Sequence, residues 1–290
     1  MPKLVSIGEI IDRSWESYRS SFVDFMSVSG WMLVVALLDV IALAFYPTAT
    51  KLVSGAPLTA LEGAGTALFW IANAVVAPVL GVWTFLAMAR LADAKLSGRR
   101  LDVKTALRDA WKSFWGAALV SVLVFLVMLG ALAIGIVPGM ILTVIATATK
   151  LGALTALANV LLVAGVVVAA VLTVRWAVAY AFSTYAFAID GARAKAALTA
   201  SRSLVTGRFW PVLVRILIPN AVFIVVGIVV GAVLAVVAGM AVSAAAGLNA
   251  DVQVRLVTIT DSIFPAVAAV LVNPAIVLAN VIVYRSLKGQ

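Results

Sequence analysis

Along most of the chain apolar residues follow one another without the strict alternation of a strand or the half-polar stripe of a soluble helix. Six such runs stand out, at about 26–46, 65–90, 117–146, 153–187, 212–243 and 262–285. Each predicts a spanning helix, since crossing a hydrocarbon core takes roughly 20 helical residues. The third, fourth and fifth runs exceed that length. They are expected to tilt, break or run along the interface, with Pro138 and Pro219 as natural break points. The pattern leaves a seventh, short or re-entrant segment open.

Ahead of the first run the pattern changes. In SIGEIIDRSWESYRSSF, Ser6 and Glu9 have the spacing of a capping box, and large apolar residues fall at Ile7, Ile11, Trp15, Tyr18, Phe22 and Phe25. Glu9, Asp12, Arg13, Glu16 and Arg19 lie opposite. An aromatic face backed by a mixed-charge face, leading into a span, predicts a helix lying at the membrane interface.

That pattern recurs. Asp102 begins a second copy with Val103, Leu107, Trp111, Phe114 and Ala118 along its apolar face, displaced by 96 residues from the first. A weaker third copy, displaced by 187, places Ala194, Leu198, Arg202, Val205 and Phe209 there, with Arg202 in the tryptophan's position and Asp190 as the nearest cap. The second and sixth runs match as well: Arg90 aligns with Arg285 at 195 residues, and Pro78 with Pro274 at 196. The expected fold is therefore all-α and polytopic, a single membrane domain of three parallel repeats at about 4–97, 98–189 and 190–290. Each repeat is an amphipathic interfacial helix followed by two spans, about an axis near the membrane normal.

Composition sharpens this picture mainly by exclusion. Charged residues make up 11% of the chain and mean hydropathy is +1.17, far from the roughly 25% charge of a soluble domain. With no cysteine and no histidine, disulfides, thiolate or imidazole metal sites and Ser-His-Asp or Cys-His catalysis are excluded. No catalytic residue, cofactor or metal is expected. The N-terminus has no continuous apolar stretch before Glu9 and does not read as a secretory signal.

The net charge of +9 is explained by topology. Of 21 Lys and Arg, 16 fall on one side of the six-span arrangement, only Lys51, Lys150 and Arg255 on the other, and Arg175 and Arg215 within apolar runs. The positive-inside rule then places both termini and the two long polar loops in the cytoplasm. No nucleic-acid partner is needed or expected.

Charged groups within apolar runs are candidates for function. Asp39 and Arg175 each lie about 13 residues into a run, a depth of ~20 Å at the rise of an α-helix. Equal depth allows a buried ion pair. The alternative is that Asp39 faces an aqueous crevice or the outer interface while Arg175 snorkels from a helix that ends earlier. Asn273, next to Pro274, is the candidate for a kink lining a cavity, whereas Asn73, Asn159, Asn220 and Asn280 are expected to bond between helices. Gly227 and Gly231 have the spacing of a close helix contact. Arg99, Arg100, Lys104, Arg108 and Lys112, with Arg193, Lys195, Arg202 and Arg208, are candidates for contact with anionic lipid head groups. Trp15, Trp111, Trp115, Trp176 and Trp210 fit an aromatic belt.

The leading SWESYRSSF, the AWKSFW after the second run, the RSLVTGRFWPVL after the fourth and the terminal VYRSLKG together resemble the membrane domain of prokaryotic glycerophosphoryl diester phosphodiesterases, over nearly the whole chain. That family also includes stand-alone membrane proteins. Its enzymatic activity resides in a separate soluble barrel with catalytic histidines, so the resemblance implies a membrane module without the catalytic part. Mitochondrial carriers share three two-span repeats in architecture, but their Pro-x-Asp/Glu-x-x-Lys/Arg signature does not occur here and their surface helices lie between the two spans of a repeat. The expectation is a non-catalytic protein of the bacterial inner membrane, in contact with membrane lipids and open to partner subunits of a membrane complex. The alternative is a small-molecule or lipid transporter with a cavity between repeats.

Overall fold

The computed structural model describes residues 4–244 and 250–289, and all regular structure among them is helical. Lys3, one of the basic residues counted above, lies outside the described residues. The helices in chain order are α1 (Ile7–Ser20), α2 (Phe22–Ser29), α3 (Leu33–Ala44), α4 (Ala49–Ser54), α5 (Ala60–Ile71), α6 (Ala77–Leu96) and α7 (Val103–Lys112). There follow α8 (Phe114–Thr149), α9 (Gly152–Tyr180), α10 (Ser183–Asp190), α11 (Lys195–Val205), α12 (Phe209–Ala244) and α13 (Ala250–Lys288). Among the described residues, six stretches are long and apolar enough to cross a membrane: Phe22–Ala44, Ala60–Leu96, Phe114–Thr149, Gly152–Asp190, Phe209–Met240 and Arg255–Lys288. The chain is an all-α, multi-pass integral membrane protein.

Polar side chains set several ends that hydropathy misplaces. The second span starts at Ala60 rather than 65, because Thr59 and Glu62 form a reciprocal capping box: the Thr59 hydroxyl accepts from the Glu62 amide at 3.3 Å and the Glu62 carboxylate accepts from the Thr59 amide at 2.8 Å. Lys51, in α4, donates to the same carboxylate at 2.7 Å.

The prolines do not break the helices expected to break. Pro138 lies inside α8 and Pro219 inside α12, and each helix continues through it. Each ring removes one hydrogen bond, whereas opening the helix in hydrocarbon would strand several backbone groups at several kcal/mol apiece. The irregular turns are elsewhere. A 3₁₀ turn at Gly30–Met32 joins α2 to α3, and a π turn at Ala72–Val76 precedes Pro78. A widened turn ahead of a proline accommodates the carbonyl that its ring would otherwise strike.

The helices group into two compact units. One comprises residues 4–114 with Ile216–Arg285. In it α6 packs on α7 and α3 on α5, and 61% of the most apolar stretch of α13 is buried. Polar contacts tie its helix ends together: Lys95 donates to Asp24 at 2.7 Å, and Arg285 reaches the Ser97 hydroxyl at 2.6 Å and the Asp93 carboxylate at 3.6 Å. Trp31, Trp83, Trp111 and Phe114 form a chain of rings with successive centroids 5.5, 5.9 and 5.6 Å apart.

The other unit comprises Trp115–Arg215 with 286–289. Here α8 and α9 meet backbone to backbone at Gly135 and Gly165, while α10 and α11 pack together and Lys288 pairs with Asp190 at 2.8 Å. Gly227 and Gly231, the pair singled out by spacing, belong to the first unit and oppose only the side chains of Val272 and Ala268.

Candidate functional site

Two of the three amphipathic helices start where their caps predict. The Ser6 hydroxyl accepts from the Glu9 amide at 3.2 Å, and the Glu9 carboxylate lies 3.5 Å from Arg13. Asp102 accepts from the Lys104 amide at 3.1 Å. The third has no such cap: α11 starts from Ala194 at φ 46°, in the left-handed region that favours glycine, and Asp190 is engaged by Lys288.

The packed side of these helices coincides only in part with the large-residue face. In α1 the buried line is Ile10, Ser14 and Tyr18; leading from α7 it is Ala106, Ala110 and Phe114; in α11 it is Ala197, Ser201 and Val205. These are the same positions at displacements of 96 and 187 residues, and each line meets the apolar stripe only at its last member, Tyr18, Phe114 or Val205. Trp15 and Trp111 are 49% and 57% exposed, and Arg202, at the corresponding position, is exposed too. Small residues face the protein because they let backbones approach, and in a membrane that close packing replaces the hydrophobic drive. The rings of Trp15 and Trp111 are left on the outer side.

Each helix is also tethered by a polar hook within its own unit. The Tyr18 phenol donates to the Leu271 carbonyl at 2.8 Å, in the turn of α13 that Pro274 loosens. Burial pushes that phenol above its ordinary value, so it stays a neutral donor at physiological pH. For α7, the Trp83 indole donates to the Leu107 carbonyl and Arg90 to the Ser113 hydroxyl, both at 2.8 Å. For α11, the Ser201 hydroxyl accepts from the Phe182 amide at 3.1 Å and donates to the Ala179 carbonyl at 2.8 Å. It thereby occupies the break between α9 and α10.

The intramembrane polar candidates have different surroundings. Asp39 accepts from the Asn73 side chain at 2.7 Å, and that amide also donates to the Phe69 carbonyl just ahead of the π turn. Asp39 and Arg175 belong to different units. Arg175 stands five residues before α9 ends at Tyr180, within a span that continues through α10 to Asp190. Asn273 is exposed on an unbroken α13 while Pro274 beside it is buried. Asn220 and Asn280 do meet, at 3.4 Å.

Of the candidate head-group residues, Arg99, Arg100, Lys104, Arg108 and Lys112 lie in the first unit and Arg193, Lys195, Arg202 and Arg208 in the second. In the first group acids balance the charge. Arg99 pairs with Asp93, and Arg108 and Lys112 each approach Asp109 to 3.7 Å. A depression of about 500 Å³ beside Arg99 and Arg100 also holds the Lys95 and Asp24 pair. In the second group the four cations form no ion pair among the described residues.

One member of the second group, Arg202, lines a groove of about 890 Å³ between the end of α9, α11 and the start of α12. Arg175 and Arg202 both line it, with Trp176 and Trp210. Sequence reasoning assigned these arginines to separate roles, and only the turn after Tyr180 brings them to one cleft. No family model, no curated protein and no solved structure matches the chain.

Proposed function

We propose that this chain is a non-catalytic module of the bacterial inner membrane, built from three parallel repeats, that organises anionic lipid around its interfacial helices or serves as an accessory subunit of a larger membrane complex. The observation carrying this reading is the recurring two-sided helix: residues 10, 14 and 18, their equivalents 106, 110 and 114, and 197, 201 and 205 are buried, while Trp15, Trp111 and Arg202 point outward. A helix anchored by a narrow line of mainly small side chains and carrying outward rings and cations is shaped to hold the interfacial layer of lipid. The resemblance to stand-alone phosphodiesterase membrane domains agrees with a role that needs no catalytic residue.

Lipid retained through purification tests this. The protein extracted from mixed vesicles should carry phosphatidylglycerol in excess over phosphatidylcholine, and replacing Arg100, Lys104, Arg193 and Lys195 with Gln should reduce that excess at least twofold. Equal retention of both lipids by the native chain would overturn it. The second reading, a lipid transporter, draws on the groove beside Arg175; protein-dependent movement of a fluorescent phospholipid between vesicle leaflets would favour it. Orientation is tested separately. The chain has no cysteine, so Ser20→Cys should react with an impermeant thiol reagent only from the cytoplasmic side, and labelling from the opposite side would reverse the proposed topology.

A further inference from the structure

We infer that the groove between α9, α11 and α12 is a specific site for one anionic phospholipid, with its phosphate held between Arg175 and Arg202 and an acyl chain lying along α9. This deepens the lipid-organising reading and rests on it for the membrane setting. Both arginines are exposed in the cleft, and neither forms an ion pair among the described residues. A guanidinium within a span requires an anion or water, and no acid lines this groove. Two guanidinium forks match the oxygens of a phosphate in bidentate geometry.

The walls specify the rest of the ligand. Val171 and Val174 continue the groove from Arg175 deeper into the span, about 6 Å along α9 at its rise per residue. They offer an apolar track, and both are exposed. Trp176 and Trp210 flank the cleft, and indole rings favour the layer between head groups and acyl chains. A charged mouth, flanking rings and an apolar track together match a diacyl phospholipid, whereas free phosphate would use the mouth alone.

The departure from the repeat pattern points the same way. Arg202 occupies the position that is Trp15 in α1 and Trp111 in α7. In those two helices the outward residue is a ring, and only in α11 is it a cation beside a second unpaired cation. The third copy has exchanged general interfacial anchoring for a defined anion contact.

Native mass spectrometry of the whole chain, extracted from vesicles containing phosphatidylglycerol and phosphatidylcholine, tests the site. The expected result is one tightly held phosphatidylglycerol whose affinity falls at least tenfold in Arg175→Gln/Arg202→Gln. Ala170→Phe, which keeps both arginines and fills the apolar wall, should cause a similar loss, and it guards against misfolding of the double variant. Inorganic phosphate at millimolar concentration should not displace the lipid. Displacement by phosphate, or unchanged retention in both variants, would overturn the proposal. The two readings separate cleanly: if the bulk phosphatidylglycerol excess is absent yet one lipid is lost in these variants, the general reading fails and the site stands. An excess that persists while neither variant changes the tightly held lipid sinks the site alone.

Discussion

Gly165→Leu is expected to prevent α8 and α9 from docking. A Cβ built at Gly165 collides with the Gly135 carbonyl oxygen, and one built at Gly135 lies 2.6 Å from the Ala169 Cβ and against the Gly165 carbonyl. The obstacle in both directions is backbone, which cannot rotate aside as a side chain would. Overpacking of a tight contact costs about 1–3 kcal/mol and more where backbone must move, so even Gly165→Ala should destabilise by about 3 kcal/mol. Nearby positions supply a graded comparison. At Gly227 the nearest atom is a Val272 methyl at 3.2 Å, and at Gly130 it is a Trp176 ring atom at 3.8 Å. The order of lost thermal stability in detergent should be Gly165→Ala, then Gly227→Ala, then Gly130→Ala with almost none. Equal effects at Gly165 and Gly130 would refute the backbone contact.

That contact was present in the sequence and went unread. Gly135 and Gly139 have the same four-residue spacing as Gly227 and Gly231, but spacing on one helix shows only that an approach is possible. Whether it occurs depends on what the facing helix offers. Gly165 and Ala169 open α9 at the matching level, whereas Val272 and Ala268 present side chains to Gly227 and Gly231. Hydropathy identifies the six spans because lipid constrains length and polarity locally. It does not encode which helices pair.

The amphipathic helices show a related shift. Their caps at Ser6 and Asp102 were legible, since a cap depends on residues three or fewer apart. The large-residue stripe was legible too, but it is only partly packed: Tyr18, Phe114 and Val205 are buried while Trp15, Trp111 and Arg202 face outward. The packed line of Ile10, Ser14 and Tyr18 and its two equivalents lies beside it and contains small or polar residues that a hydrophobicity pattern passes over. The arginine groove was least legible. It depends on a turn at 181–182, and AYAFSTYAF contains neither glycine nor proline to announce one.

Ser201 is the residue that accounts for that turn, and Ser201→Ala is expected to undo it. In an unbroken helix the Phe182 amide would bond to the Val178 carbonyl and the Ala179 carbonyl would accept from Ser183. Instead one hydroxyl from α11, itself fully buried, takes the amide and donates to the carbonyl. Losing a buried hydroxyl that serves two backbone groups costs about 1–3 kcal/mol. Hydrogen exchange at residues 178–186 should accelerate, and the tightly bound lipid at Arg175 and Arg202 should weaken because α11 no longer fixes the end of α9. Ser14→Ala is the informative counterpart. Ser14 holds the equivalent buried position in α1, but its hydroxyl returns to the Ile10 and Ile11 carbonyls of its own helix, and the second copy already has Ala110 there. Its loss should be nearly neutral. If Ser14→Ala and Ser201→Ala proved equally disruptive, the cost would belong to close packing shared by all three helices, and the hydroxyl bridge would not be what shapes the groove.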